Sequence, residues 1–229
     1  MKILFVGNSH TFFNDMPELF ARFAEETTGQ KPEVTMLAYG GRSYEWHYKE
    51  YTSLRFNLVY GGYDYCVFQQ AAHPYPPEES TLEFGRKIAE LCKKNNVTPV
   101  VYMTWAEERF PENQQKMIDT CRKLAGISNS ILAPIGAVWQ RVREDHPDID
   151  LYYRDGEHAG PYGDFLIAAV LCKLLCKDVS ENVSGNGFDF MPDSPWVITE
   201  DREKIPTALD KDKTDKIIAI VKSWDMSNN

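Results

Sequence analysis

The sequence has no long apolar run. No stretch reaches the ~20 apolar residues of a membrane-spanning helix. The longest candidate, residues 165–175, is interrupted by Lys173 and suits a buried helix. The first residues do not read as a secretory leader: Lys2 is followed by only four apolar residues before Gly7 and Asn8, and no small-residue cleavage site follows. Cysteine is scarce. Five cysteines, odd in number and scattered over 229 residues, point away from a disulfide framework and predict reduced thiols in a cytoplasmic protein. Basic residues are outnumbered 25 to 34, and the net charge of −9 argues against nucleic acid or an anionic membrane surface as partner. There is no internal repeat and no low-complexity tract.

What is present reads as soluble and globular, with 43% hydrophobic and 26% charged residues, in a length that suits one domain or one domain with an extension. Apolar runs alternate with helical patterns, the βαβα order of an α/β protein with a parallel sheet covered on both faces. Strands are predicted at residues 2–6, 34–38, 65–68, 99–104 and 130–133. Helices are predicted from Asp15, as N-cap, to Gly29, and then over residues 80–94, 114–124, 137–144, 163–176 and 210–224. Residues 44–60 are aromatic-rich and ambiguous. Residues 1–177 form the predicted core, and residues 178–229 a C-terminal extension packing on it. In that extension residues 178–208 lack periodicity, and Phe188 and Trp196 are left without an assigned role.

The first strand leaves through Gly7-Asn8-Ser9, at the mouth of the sheet where open α/β folds place their ligands. A serine hydroxyl needs a base to take its proton, and the base needs a carboxylate to orient it. Of five histidines only His158 sits in a D-x-x-H pattern, with Asp155 three residues before it. In a tight loop that spacing brings the carboxylate under Nδ1 and leaves Nε2 facing outward. Donors for a developing oxyanion are offered by the N–H groups of Ser9 and Gly41 and by the side-chain amide of Gln69. Gln70 is the alternative donor, although alternation from Val67 puts it on the other face of the strand. Taken singly, each of these segments is equally a plain turn, a solvated loop or a satisfied amide.

His10 reads either as a substrate contact or as a packing residue. His47, with Trp46 and Tyr48, and Trp105 after the fourth strand read either as pocket walls or as core. His73 is placed at a loop rim and His146 at a helix end. Cys172 and Cys176 share a helix face at i, i+4, but their apolar flanks favour core packing over metal binding.

Together these residues resemble the SGNH (GDSL-like) hydrolase superfamily. GNSHT at residues 7–11 is similar to its GDS-type serine turn, AYGGRS at 38–43 to its glycine block, and DGEH at 155–158 to its D-x-x-H block. The resemblance covers residues 2 to about 176 in the right order. Two positions depart from the family pattern: Asn8 stands where the familiar form has Asp, and VFQQ at 67–70 replaces the usual G-x-N block. The resemblance implies a three-layer α/β/α sandwich with a parallel five-stranded sheet ordered 2-1-3-4-5. It implies ester hydrolysis through an acyl-enzyme, commonly removing acetyl or short acyl groups from carbohydrates or small molecules. Ser9 would attack, His158 would shuttle the proton and Asp155 would orient it. Ser9, Gly41 and Gln69 would hold the oxyanion. No metal or organic cofactor is implied, and a homodimer is compatible with all of this. The competing expectation is a non-catalytic flavodoxin-like domain binding an anion at the Ser9 turn. It does not explain D-x-x-H, and residues 7–15 lack the glycine richness of such a loop.

Overall fold

The five apolar segments lie side by side as parallel strands, β1 (Lys2–Gly7), β2 (Glu33–Ala38), β3 (Tyr65–Gln69), β4 (Thr98–Tyr102) and β5 (Ile131–Ala133). The computed structural model describes residues 1–184 and 209–226, so Phe188, Trp196 and most of the stretch without periodicity lie outside the described residues. Spatial order is β2-β1-β3-β4-β5, with Gly7 opposite Ala38 and Val6 opposite Phe68. Alternation assigns the strand residues to two cores. Ile3, Phe5, Val67, Val100 and Tyr102 face one side, and Leu4, Val6, Cys66, Phe68 and Val101 face the other. Helices cover both faces, which is why the central strands are apolar without a break.

On the first face lie α2 (Met16–Thr28), α7 (Ile135–Asp145), α8 (Pro161–Cys176) and α9 (Lys211–Ser223). On the second lie α3 (Tyr44–Glu50), α4 (Thr52–Tyr60), α5 (Glu78–Lys94) and α6 (Asn113–Ser128). The result is a three-layer α/β/α sandwich. Residues 44–60 resolve into two helices because Tyr51 adopts φ +62°, which no helix tolerates.

The helix expected from Asp15 begins differently. A single turn, α1 (Ser9–Phe12), and a 3-10 turn over Phe13–Asp15 precede α2. Asn14 and Asp15 sit at φ +48° and +57°, a left-handed kink that Asn and Asp accept more readily than most residues. In that conformation the Asp15 carboxylate makes no cap hydrogen bond, so the expected N-cap contact is not formed. Pro17 in the first turn of α2 fixes the helical start instead.

Beyond α8, α9 returns to the first face and buries Ile217, Ile218 and Val221 in its core. Lys173, the charge that interrupts the apolar run of α8, donates to the carbonyls of Val221, Lys222 and Trp224 at 2.9, 2.6 and 2.7 Å. It thereby caps the C-terminal end of α9, where helix carbonyls lack partners. No helix among the described residues is long and apolar enough to cross a membrane.

Candidate active site

β1 is flanked by β2 and β3, so the chain turns away in opposite directions on its two sides and a crevice opens at the carboxyl edge of the sheet. Gly7 ends β1 there because of space: a Cβ at this position would collide with Thr11 Oγ1 and Gln69 Oε1. Asn8 caps α1, its Oδ1 accepting the His10 N–H at 3.0 Å. Its Nδ2 donates to the Arg42 carbonyl at 3.0 Å, tying the turn to the glycine loop after β2. An aspartate could not make that second bond, so the Asn8 departure has a use.

Ser9 opens α1, and its Oγ lies 2.8 Å from His158 Nε2. His158 Nδ1 lies 2.7 Å from Asp155 Oδ2, while Asp155 Oδ1 accepts the N–H groups of Glu157 and His158, each at 2.9 Å. A carboxylate can only accept, so Nδ1 carries the hydrogen and Nε2 is free to take one from serine. Burial works to raise the Asp155 pKa, but the hydrogen bonds from His158 and the two N–H groups outweigh it and hold the group at about 2.

The segment carrying Asp155 and His158 is folded back on itself. Tyr153 N–H donates to the His158 carbonyl and Gly160 N–H to that of Leu151, both at 2.8 Å, and Gly156 turns at φ +71°. The loop after β4 braces it from behind, with Glu108 N–H to the Gly156 carbonyl and Trp105 Nε1 to the Glu157 carbonyl, each at 2.9 Å. From the front, Asn14 Nδ2 donates to the Ala159 carbonyl at 3.0 Å and to Asp164 Oδ2 at 2.5 Å. Burial pushes the Asp164 carboxyl well above the usual range, only partly offset by the bond from Asn14.

The imidazole of His158 is flanked by two rings, Phe13 at 4.7 Å and His10 at 4.8 Å between centroids, both tilted by 25°. His10 also touches the rings of His73 and Trp105. Burial above all, and then the neighbouring His158 and His73, hold the pKa of His10 well below 6.5. His73 is held at about 4 by burial, against the pull of Glu107, whose Oε1 is 3.6 Å from Nδ1. A measurable dependence follows. Between pH 6.5 and about 4 the unfolded chain protonates His73 while the folded protein does not, so stability falls as pH drops through this range. Over the full window the loss from this buried group is about 3 kcal/mol. His10 adds to it in the same sense. Urea unfolding of wild type and His73→Gln at pH 7 and pH 4 checks this: the variant should lose less stability on acidification by about that amount.

The crevice has a volume of about 570 Å³ and is walled by Ser9, Gly41, His158, Phe13, Tyr153 and His73. Gly41 turns there at φ +69°, and neither its N–H nor that of Ser9 has an acceptor among the described residues. Three sequence expectations need correction. Gln69 does not offer its NH₂ to the crevice. Its Oε1 accepts the Asn8 N–H at 2.9 Å and the Thr11 hydroxyl at 3.0 Å, and its Nε2 donates to the Gln70 carbonyl. An N–H can only donate, so the atom facing Asn8 is the amide oxygen, and the NH₂ on its other side is directed at the Gln70 carbonyl.

His47 is no pocket wall: it is buried, with Nε2–H donating to the Gly7 carbonyl at 2.8 Å, and it secures the end of β1. Trp105 is fully buried and stacked on Trp139 at 4.2 Å and 4°, so it braces the loop of His158 from below. His10 does line the crevice. Cys172 packs within the first core with Cys176 at its margin, and no cluster that could hold a metal ion is found among the described residues. Phe13, Tyr153 and the Asn14–Asp164 pair were not legible in advance. Only the position of Phe13, four residues beyond Ser9, offered a signal.

No family sequence model and no curated protein sequence matches the chain. Solved structures do. The lipase/acylhydrolase from Enterococcus faecalis superposes with a TM-score of 0.60 at 16% identity, over 78% of this chain and 97% of its own. A member of the lipolytic protein G-D-S-L family from Veillonella parvula gives 0.59 at 12% identity, over 77% and 99%. The acetyl xylan esterase AlAXEase gives 0.59 at 17% identity, over 75% and 98%. The fold is that of the SGNH (GDSL-like) hydrolases.

Proposed function

We propose that this chain, built on the fold of the GDSL-type hydrolases, is a serine ester hydrolase that works through an acyl-enzyme. One observation carries the reading: Ser9 Oγ, His158 and Asp155 form a continuous hydrogen-bonded line with steps of 2.8 and 2.7 Å, open to a crevice. Ser9 Oγ attacks the ester carbonyl carbon as His158 Nε2 takes its proton. Asp155 holds the imidazole in the accepting tautomer and stabilises the imidazolium. The carbonyl oxygen, now an oxyanion, is met by the N–H groups of Ser9 and Gly41. The C–O bond to the alcohol then breaks and His158 returns the proton to the departing oxygen. Water, deprotonated by the same nitrogen, attacks the acyl-enzyme, releasing the acid and restoring Ser9.

Acetyl or another short acyl group is the favoured substrate acyl group, carried on a small-molecule or carbohydrate alcohol. Gly40, Gly41, Ala71 and Ala72 give the crevice small side chains beside Ser9, and one structural neighbour is an acetyl xylan esterase. The anion-binding alternative fares worse. α1 is a single turn, Ser9 Oγ is engaged with His158, and Asp155 and Glu157 both line the crevice. A series of p-nitrophenyl esters from acetate to octanoate, with labelling by a fluorophosphonate, tests the proposal. Turnover that declines with chain length, together with covalent labelling, is expected. A protein that hydrolyses none of these esters and takes no label would sink it.

A further inference from the structure

β3 ends in two consecutive glutamines, both buried, at 1% and 2% exposure. Alternation sends them to opposite faces of the sheet, and each meets one wall of the crevice. Gln69 Oε1 is the common acceptor for the Asn8 N–H at 2.9 Å and the Thr11 hydroxyl at 3.0 Å. These two residues bracket Ser9, one immediately before it and one two positions after it. Gln70 Oε1 accepts the N–H of Tyr44 at 2.9 Å and that of Ala71 at 3.0 Å. Tyr44 begins α3, directly after the loop that carries Gly41. The amide of Gln70 is locked from its other end, where Nε2 donates to Thr81 Oγ1 at 3.0 Å. Backbone N–H groups face the oxygen of each amide, so neither side chain can flip without losing its bonds.

The geometry points to Gln69 and Gln70 as positioning residues for the oxyanion hole: Gln69 sets the turn that presents the Ser9 N–H, and Gln70 sets the loop that presents the Gly41 N–H. One hydrogen of the Gln69 NH₂ is directed at the Gln70 carbonyl and one of the Gln70 NH₂ at Thr81, and neither glutamine is among the residues that line the crevice. An acceptor placed between two adjacent segments of a turn fixes their relative position, and small displacements of donors from a reacting oxygen cost rate heavily. This assignment rests on the esterase reading.

A double-mutant cycle on Gln69 and Thr11 separates positioning from direct donation. Wild type, Thr11→Val, Gln69→Ala and the double variant are assayed with p-nitrophenyl acetate, with rates expressed per fluorophosphonate-labelled site so that unfolded protein is not counted. Thr11→Val should lower kcat about tenfold at little changed KM, because the turn loses one of its two ties to the amide. The double variant should then be no slower than Gln69→Ala alone, as for two residues acting through one contact. Thr81→Val should act likewise through Gln70. A loss of about 10²–10³ in Gln69→Ala beside a wild-type rate in Thr11→Val is the pattern of a direct oxyanion donor and overturns the assignment. Additive losses, or variants that weaken to urea yet keep the wild-type kcat per labelled site, overturn it too. A wild type that neither turns over ester nor takes the label overturns the esterase reading itself, an outcome distinct from the other three.

Discussion

Ser9→Ala is expected to lower kcat for p-nitrophenyl acetate by about 10⁴-fold or more and to abolish fluorophosphonate labelling. The acyl-enzyme cannot form without Oγ, and nothing else in the crevice is placed to replace it. His158 Nε2 points at Ser9 Oγ, and the cysteines are remote from this edge: four are buried in the cores and Cys176 lies at the far end of α8. Residual hydrolysis would come from the oxyanion donors and from binding alone. The backbone should hardly notice, because among the described residues Ser9 Oγ makes a hydrogen bond only with His158 and the cap of α1 comes from Asn8. Circular dichroism and a urea midpoint within error of wild type, with rate measured beside them, complete the test. A variant that still turned over and still took the label would remove Ser9 from the mechanism.

Asp155→Asn carries the second large effect, about 10⁴-fold in kcat at near-neutral pH. The reason lies in which oxygen faces what. Oδ1 receives two backbone N–H groups, from Glu157 and His158, whereas Oδ2 meets His158 Nδ1. An asparagine must turn its oxygen toward the two N–H groups, since an NH₂ there would leave both unpaired. Its NH₂ is therefore forced against Nδ1. The imidazole answers by moving its hydrogen to Nε2, where it can no longer accept from Ser9. The lesion is a tautomer error in an otherwise intact site. The measurement is kcat with p-nitrophenyl acetate, together with the ¹⁵N shifts of His158. A rate within tenfold of wild type, or Nδ1 still protonated, would show that the carboxylate is not what sets the ring.

How much of this was legible in the sequence depends on the range of the force involved. The layering follows from apolar runs such as residues 2–7 alternating with helical patterns along the chain, whereas the strand order is implied only by the family resemblance. Ser9, Gly41, Asp155 and His158 stand out because their geometry is local: a turn leaving a strand, a left-handed glycine and a three-residue spacing. Gln69 shows where that kind of reading ends. Alternation gives the correct face of β3, but which atom of the amide meets the Asn8 N–H is decided 61 residues away in the chain. His47 and Trp105 were ambiguous for a similar reason, since an aromatic ring becomes wall or brace only when its neighbours from other elements arrive. The kink at Asn14 and Asp15 was invisible because a positive φ leaves no mark on a hydrophobic pattern.

The stacked indoles of Trp105 and Trp139 have a practical use. These rings lie face to face at 4.2 Å, an environment that neither Trp46 nor Trp224 shares. Trp105 is hydrogen-bonded through Nε1 to the carbonyl of Glu157, beside His158. A displacement of that loop would separate the indole from its acceptor. Intrinsic tryptophan fluorescence, followed by stopped flow without any attached dye, is therefore the natural probe for movement of this part of the site.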